Sequence, residues 1–231
     1  MRISGSGTLS KMNLEDNIVV SGSVRMDGDI ECLGFRSSGS ARGEGNLTVH
    51  GDIKSSGSFR IRGTLLGDGN ARFSGSATID KEINIKGELE SSGSLRVGDK
   101  VDALQGIRFS GSANIDGGLN SNETIEIGGS TTVRGSIKAN NVLIGTQTSL
   151  SGKKGSKHSY KVFGDIFSAN NLEIINTFVQ GDVRGRNVKI GRRTEITGNV
   201  YYIDNIKIDP KATLVHKPIQ ISEIAENKIE K

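Results

Sequence analysis

The stretch GSARGEGNLTVHGDIKSS, residues 39–56, falls into three hexads, GSARGE, GNLTVH and GDIKSS. GSATIDKEINIKGELESS, residues 75–92, divides the same way. The first position of a hexad is mostly glycine or polar, and the third and fifth are apolar or small. Alternation at period two marks short strands with one buried side. Glycine at a hexad start marks a corner, where the backbone needs either a positive φ or room for close approach. Outward from these stretches, a Gly-Ser pair recurs with its glycine at 5, 22, 39, 57, 75, 93, 111 and 129, spaced 17 or 18 residues apart. A fixed period of this length is the mark of a solenoid. The expected fold is all-β: a single-stranded parallel β-helix of about 18 residues per coil, each coil with three strands and three corners. About 12 coils between residues 3 and 216 make a rod of roughly 55–60 Å at about 4.8 Å per coil.

Composition agrees with a narrow core. Only 33% of the 231 residues are hydrophobic and 4% aromatic; there is no Trp, with 32 Gly and 2 Pro. Such a chain cannot fill a rounded interior of its length, but a solenoid coil buries only a few side chains. Packing also sets an expected alternation. Ser55 with Phe59, Phe73 with Ala77, Ser91 with Leu95 and Phe109 with Ala113 each join a small residue to a large one. Each pair is expected to meet inside one corner, where two phenylalanines should not fit at one level. The strings RFSGSATID (72–80) and RFSGSANID (108–116) recur 36 residues apart, in keeping with this.

The repeat divides the chain. Gly-Ser coils run over 1–146, a polar and basic loop over 147–161, further coils over 162–216, and a charged tail over 217–231. The later coils carry VFGDI (162–166), ANNLEI (169–174), QGDV (180–183), RNVKIG (186–191), TEITGNV (194–200) and IKIDPKATL (206–214). Over 161–214 this texture resembles the bactofilins, the polymer-forming cytoskeletal proteins of bacteria, and more loosely it extends to GSVRMDGDI (22–30) and HGDIKSSG (50–57). The resemblance implies a right-handed, three-sided β-helix that assembles end to end into non-polar filaments without bound nucleotide. It also implies a scaffold role for membrane-, envelope- or motility-linked machinery. The chain departs from the pattern in its length, in its Gly-Ser coils and in lacking an apolar N-terminal membrane-targeting segment.

A filament also follows from the fold itself. The end coils of a solenoid leave unpaired strand edges and an open core. Leu9, Leu14, Ile18 and Val20 are expected to form one joining surface, and Ile203, Ile206, Ile208 and Leu214 the other. Symmetric contact, start to start and end to end, would make the polymer non-polar. The principal partner is then the chain itself. A second expected reading is a non-polymerising rigid adaptor that binds a partner or an anionic membrane through its sides. Arg25, Arg42, Arg60 and Arg96 share one outward hexad position, interrupted at Thr78, and could meet lipid headgroups.

Enzymatic chemistry is not expected. Hexapeptide-repeat acyltransferases also have 18-residue coils, but they place a large aliphatic residue directly before glycine. Here that order occurs at Ile144-Gly145 and Ile190-Gly191, while Ile85-Lys86-Gly87 is the commoner form. Their histidine base has no evident counterpart. His50, His158 and His216 lie at a corner, in the basic loop and after the last coil, without an acidic partner in a recognisable motif. The loop GKKGSK (152–157) fails the phosphate-loop pattern because Gln147 stands where glycine is required. No Cys–His set has metal-ligand spacing, and no cofactor is expected. The net charge of +4 gives no reason to expect nucleic acid. The lone Cys32, at an inward position, fits a reducing compartment. No apolar run reaches signal-peptide or membrane-spanning length, so the expected address is the cytoplasm. The serine column from Ser6 to Ser130 is expected to make coil-to-coil hydrogen bonds at its corner.

Overall fold

The computed structural model describes residues 1–146 and 159–223. His158 and most of the 147–161 loop, like 224–231 of the tail, lie outside the described residues. The fold is an all-β solenoid of about 12 turns, about 18 residues apart. Every strand pairing is parallel and joins a strand to its counterpart one coil on. The coil made by Ser58–Ile61, Leu65–Gly67 and Ala71–Phe73 stacks on Ser76–Ile79, Ile83–Ile85 and Leu89–Ser91. The registers are Phe59 to Ala77, Leu65 to Ile83 and Ala71 to Leu89. The strands of these two coils are called here first, second and third, and so are the strands that stack on them. Some coils near the two ends pass a corner without breaking the strand, as in Ser6–Val20, Ser23–Ser37 and Val200–Ile208.

Two boundaries move. Tyr160 and Lys161, read as loop, already belong to the strand Tyr160–Val162, which pairs with Thr131–Val133. Tyr160 takes the inward place between Thr131 and Thr177 and donates its hydroxyl to the Gly128 carbonyl at 3.0 Å, which a polar loop could not do. At the other end the coils run past 216, since Ile219–Gln220 pairs with Tyr201–Tyr202.

The glycines of the Gly-Ser corner are there for close approach; none of them has a positive φ. Their missing Cβ would point along the axis into the preceding coil. At Gly93 it would lie well inside van der Waals contact of the Gly75 carbonyl oxygen, and the same holds from Gly22 to Gly129. The serine beside each glycine does bond from coil to coil, but through its backbone. Ser76 N–H donates to the Gly57 carbonyl at 3.1 Å and Ser94 N–H to that of Gly75 at 3.0 Å. The hydroxyls from Ser6 to Ser130 point outward and are exposed, so the expected side-chain ladder is absent. Asx side chains do form such a ladder at other corners. Asp165 Oδ1 accepts from Asp182 N–H at 2.8 Å, and Asp182 Oδ1 from Asn199 N–H at 2.9 Å.

The core corrects the expected pairing. Phe59 and Phe73 share one coil and stack with ring centroids 5.5 Å apart. Two phenylalanines therefore do occupy one level. They fit because the coils on either side supply small residues in the same columns, Ala41 and Ser55 before, Ala77 and Ser91 after. Leu95 and Phe109 then repeat the large coil. Alternation thus runs by whole coils, which gives the 36-residue recurrence. Serine fills these slots for its size alone: the hydroxyls of Ser37, Ser55 and Ser91 are buried without a hydrogen-bond partner. Ser91→Ala removes that unsatisfied group at nearly constant volume. It is expected to leave stability unchanged or raise it by up to about 1 kcal/mol in urea unfolding. A loss above about 1 kcal/mol would mean that the hydroxyl has a partner.

Candidate functional surfaces: outer columns and the two ends

The outward residues of each strand stack into columns. The arginine column forms as read, with Arg25, Arg42 and Arg60 in successive coils, then Thr78, then Arg96. It is interleaved with a column of mostly opposite charge two residues on. Arg25 pairs with Asp27 at 2.5 Å, Arg42 with Glu44 at 3.1 Å and Arg60 with Asp80 at 3.1 Å. Arg96 comes within 4.0 Å of Asp116, which Arg134 also meets at 3.3 Å. Each guanidinium of the stripe therefore faces a carboxylate, and the field it projects is much weaker than four free arginines would give. The third-strand column alternates likewise: Arg72 with Glu90 at 2.5 Å, Arg108 with Glu126 at 3.1 Å.

His50 does have acidic partners. Its Nε2 lies 2.6 Å from Glu31 and its Nδ1 3.0 Å from Asp68, while Lys86 reaches Asp68 at 2.8 Å. The hydrogen bond to Asp68, then that to Glu31, raises the His50 pKa above its ordinary 6.5. A raised folded pKa means that the protonated form contributes stability in full below about pH 6.5, and that this contribution is lost as pH rises through the folded value. In an NMR titration His50 is expected to have its midpoint above 6.5, and Asp68→Asn is expected to lower that midpoint. A wild-type midpoint at or below 6.5 would contradict the cluster.

Surface grooves are shallow troughs between neighbouring columns. One, of about 100 Å³, is floored by Ala71 and walled by Asp52, Lys54, Arg72 and Glu90; these are paired, Lys54 with Asp52 and Arg72 with Glu90. Among the described residues no group of three or more His, Cys, Asp or Glu is placed to hold a metal ion. Nor is any helix long and apolar enough to cross a membrane. Cys32 is fully buried, and burial pushes its thiol up to about 11, which keeps it protonated and unreactive.

The ends differ from expectation in part. Leu9, Ile18 and Val20 are buried in the core rather than presented at the start. One reason is that Arg2–Ile3 already lies over Val19–Val20. The apolar residues left half-covered at the start are Ile3, Met12 and Leu14. At the far end Ile203, Ile206 and Leu214 are half-buried, and Ile208, Val215 and Ile219 are exposed. Met12 is legible in the sequence, since it holds the inward slot of its hexad; Ile219 falls within the stretch 217–231 that the sequence assigns to the tail. Among the described residues the outer edges of Arg2–Ile3, Ser6–Ser10 and Met12–Leu14 are open at the start, and those of Asn205–Ile208, Thr213–Leu214 and Ile219–Gln220 at the far end.

No family model, curated protein or solved structure matches the chain.

Proposed function

We propose that the chain is a structural protein whose rods, three-sided and right-handed, join end to end into filaments without a nucleotide and serve as a cytoplasmic scaffold. One observation carries this reading. Both terminal coils leave strand edges unpaired among the described residues, with Ile3, Met12 and Leu14 at one end and Ile206, Ile208 and Leu214 at the other. An open edge above an apolar interior is a template for another chain. The bactofilin-like texture of 161–214 supports the same reading, and the self-paired outer columns favour contact through the ends over contact through the sides. A scaffold for membrane-, envelope- or motility-linked machinery is the role this reading gives the polymer.

The test is negative-stain microscopy and light scattering of the purified chain at micromolar concentration. Filaments are expected, and monodisperse single rods would overturn the proposal. Ile206→Asp places a charge at the joint, and it is expected to abolish filaments while the β circular-dichroism signal stays. Assembly unchanged by this substitution would remove the far end from the joint.

A further inference from the structure

We infer that the joint is head to tail, the first coil of one copy stacking on the last coil of the next, so that the filament has a direction, in place of the symmetric, non-polar contact expected from the sequence and from the bactofilin resemblance. The inference rests on the end-to-end reading above and decides the geometry of its joint.

The three sets of strands run as unbroken columns from the first coil to the last. The first-strand column begins at Thr8 and Leu9 and ends at Thr213 and Leu214. The third-strand column begins at Arg2 and Ile3 and ends at Lys207 and Ile208. The second-strand column begins at Asn13 and ends at Ile219. The two ends are also staggered in opposite senses. At the start the third strand leads, because Arg2–Ile3 lies one coil ahead of Val19–Val20. Among the described residues the third strand lags at the far end, because Thr213–Leu214 and Ile219–Gln220 lie beyond Asn205–Ile208.

A second copy placed along the axis meets this stagger step for step. Its Arg2–Ile3 covers Lys207–Ile208, its Gly7–Leu9 covers Ala212–Leu214, and its Asn13 covers Ile219. The inward steps Ile3 on Ile208 and Leu9 on Leu214 are aliphatic on aliphatic, as inside the rod, while Leu14, next to Asn13, falls on Gln220. Gly7 on Ala212 is small on small. Arg2 on Lys207 is the one like-charged step, and the sheet already stacks Lys189 on Lys207 in the same column. Every new pairing would be parallel, like all those within the rod. A two-fold joint reverses strand direction across the interface, so its pairings would be antiparallel, unlike those within the rod.

Disulfide trapping distinguishes the geometries. In the head-to-tail joint positions 8 and 213 face each other on neighbouring strands about 4.8 Å apart, within disulfide range. Both threonines are exposed, and the native Cys32 is buried. Thr8→Cys and Thr213→Cys proteins are made separately, mixed, assembled and oxidised. The expected product is a species of twice the 24.5 kDa chain mass whose linked peptides carry positions 8 and 213, absent when either variant is oxidised alone. Filaments without that mixed link, or linked dimers formed by one variant alone, overturn the head-to-tail joint and leave the filament standing. If the mixture forms no filaments under conditions where wild type does, each variant mixed with wild type identifies the damaging change, and Ser10→Cys with Val215→Cys repeats the test one position pair along. Wild-type chains that never assemble overturn both proposals.

Discussion

Gly93→Ala is expected to destabilise the rod by about 3 kcal/mol or more, while Gly5→Ala is expected to change stability by less than about 0.5 kcal/mol. Both glycines open a Gly-Ser corner, and neither has a positive φ, so backbone conformation does not separate them. Space does. A Cβ on Gly5 meets nothing within 4 Å, whereas one on Gly93 collides with the carbonyl oxygens of Gly75 and Ser74. Backbone oxygens cannot swing aside as the end of a side chain can. The coils must part at that corner by roughly an ångström or more, where strands lie only about 4.8 Å apart. That movement strains the bonds Ser92 N–H to Phe73, Gly93 N–H to Phe73 and Ser94 N–H to Gly75, which are 2.9, 3.4 and 3.0 Å long. Three bonds at about 1 kcal/mol each set the scale. Because a solenoid's stability is a sum of coils and their interfaces, the loss should centre on neighbouring coils. Urea unfolding gives the total, and hydrogen exchange at Ser76 and Ser94 gives the location. Equal effects at both glycines would mean that the corner tolerates side chains.

The period, the parallel stacking and the split between inward and outward positions were legible because each follows from the same 18 residues read repeatedly. What was not legible depends on distance between coils. That His50 lies between Glu31 and Asp68 is a matter of 19 and 18 residues, one coil each way; laying the sequence out in coils would have exposed it, and a search for local motifs could not. Glycine at a corner has two physical explanations, positive φ and close approach, and only the coil beneath Gly93 decides between them. The arginine column was read correctly as a column. Its neutralisation came from Asp27, Glu44 and Asp80, whose acidic column was not set beside it. The starting end was misread for a related reason. Ile18 and Val20 belong to the first full coil, but Arg2–Ile3 begins the stack one strand earlier, over Val19–Val20, while Leu9 is buried although its own column begins with it.

Phe73→Ala is expected to cost about 3–5 kcal/mol, the usual range for emptying a buried phenylalanine site. Phe73 is fully buried and stacked on Phe59, and its column neighbours are Ser55 and Ser91, too short to collapse into the space. Ala77→Phe is expected to cost about 1–3 kcal/mol by overpacking, since its column neighbours Phe59 and Leu95 already fill the levels on either side. The combined variant Phe73→Ala with Ala77→Phe keeps the total side-chain volume of the core. If corner pairs such as Phe73 with Ala77 were the packing unit, the exchange would restore most of the stability. Alternation by coils gives the opposite result. A phenylalanine at 77 would sit between Phe59 and Leu95, three large residues in succession, while the third-strand column would run Ser55, Ala, Ser91 with an unfilled gap. The double variant is therefore expected to be no more stable than Phe73→Ala alone. A double-mutant cycle in urea measures this directly. Recovery of more than about 2 kcal/mol in the double variant would show that the corner pair, and not the coil, is the unit in which this core is packed.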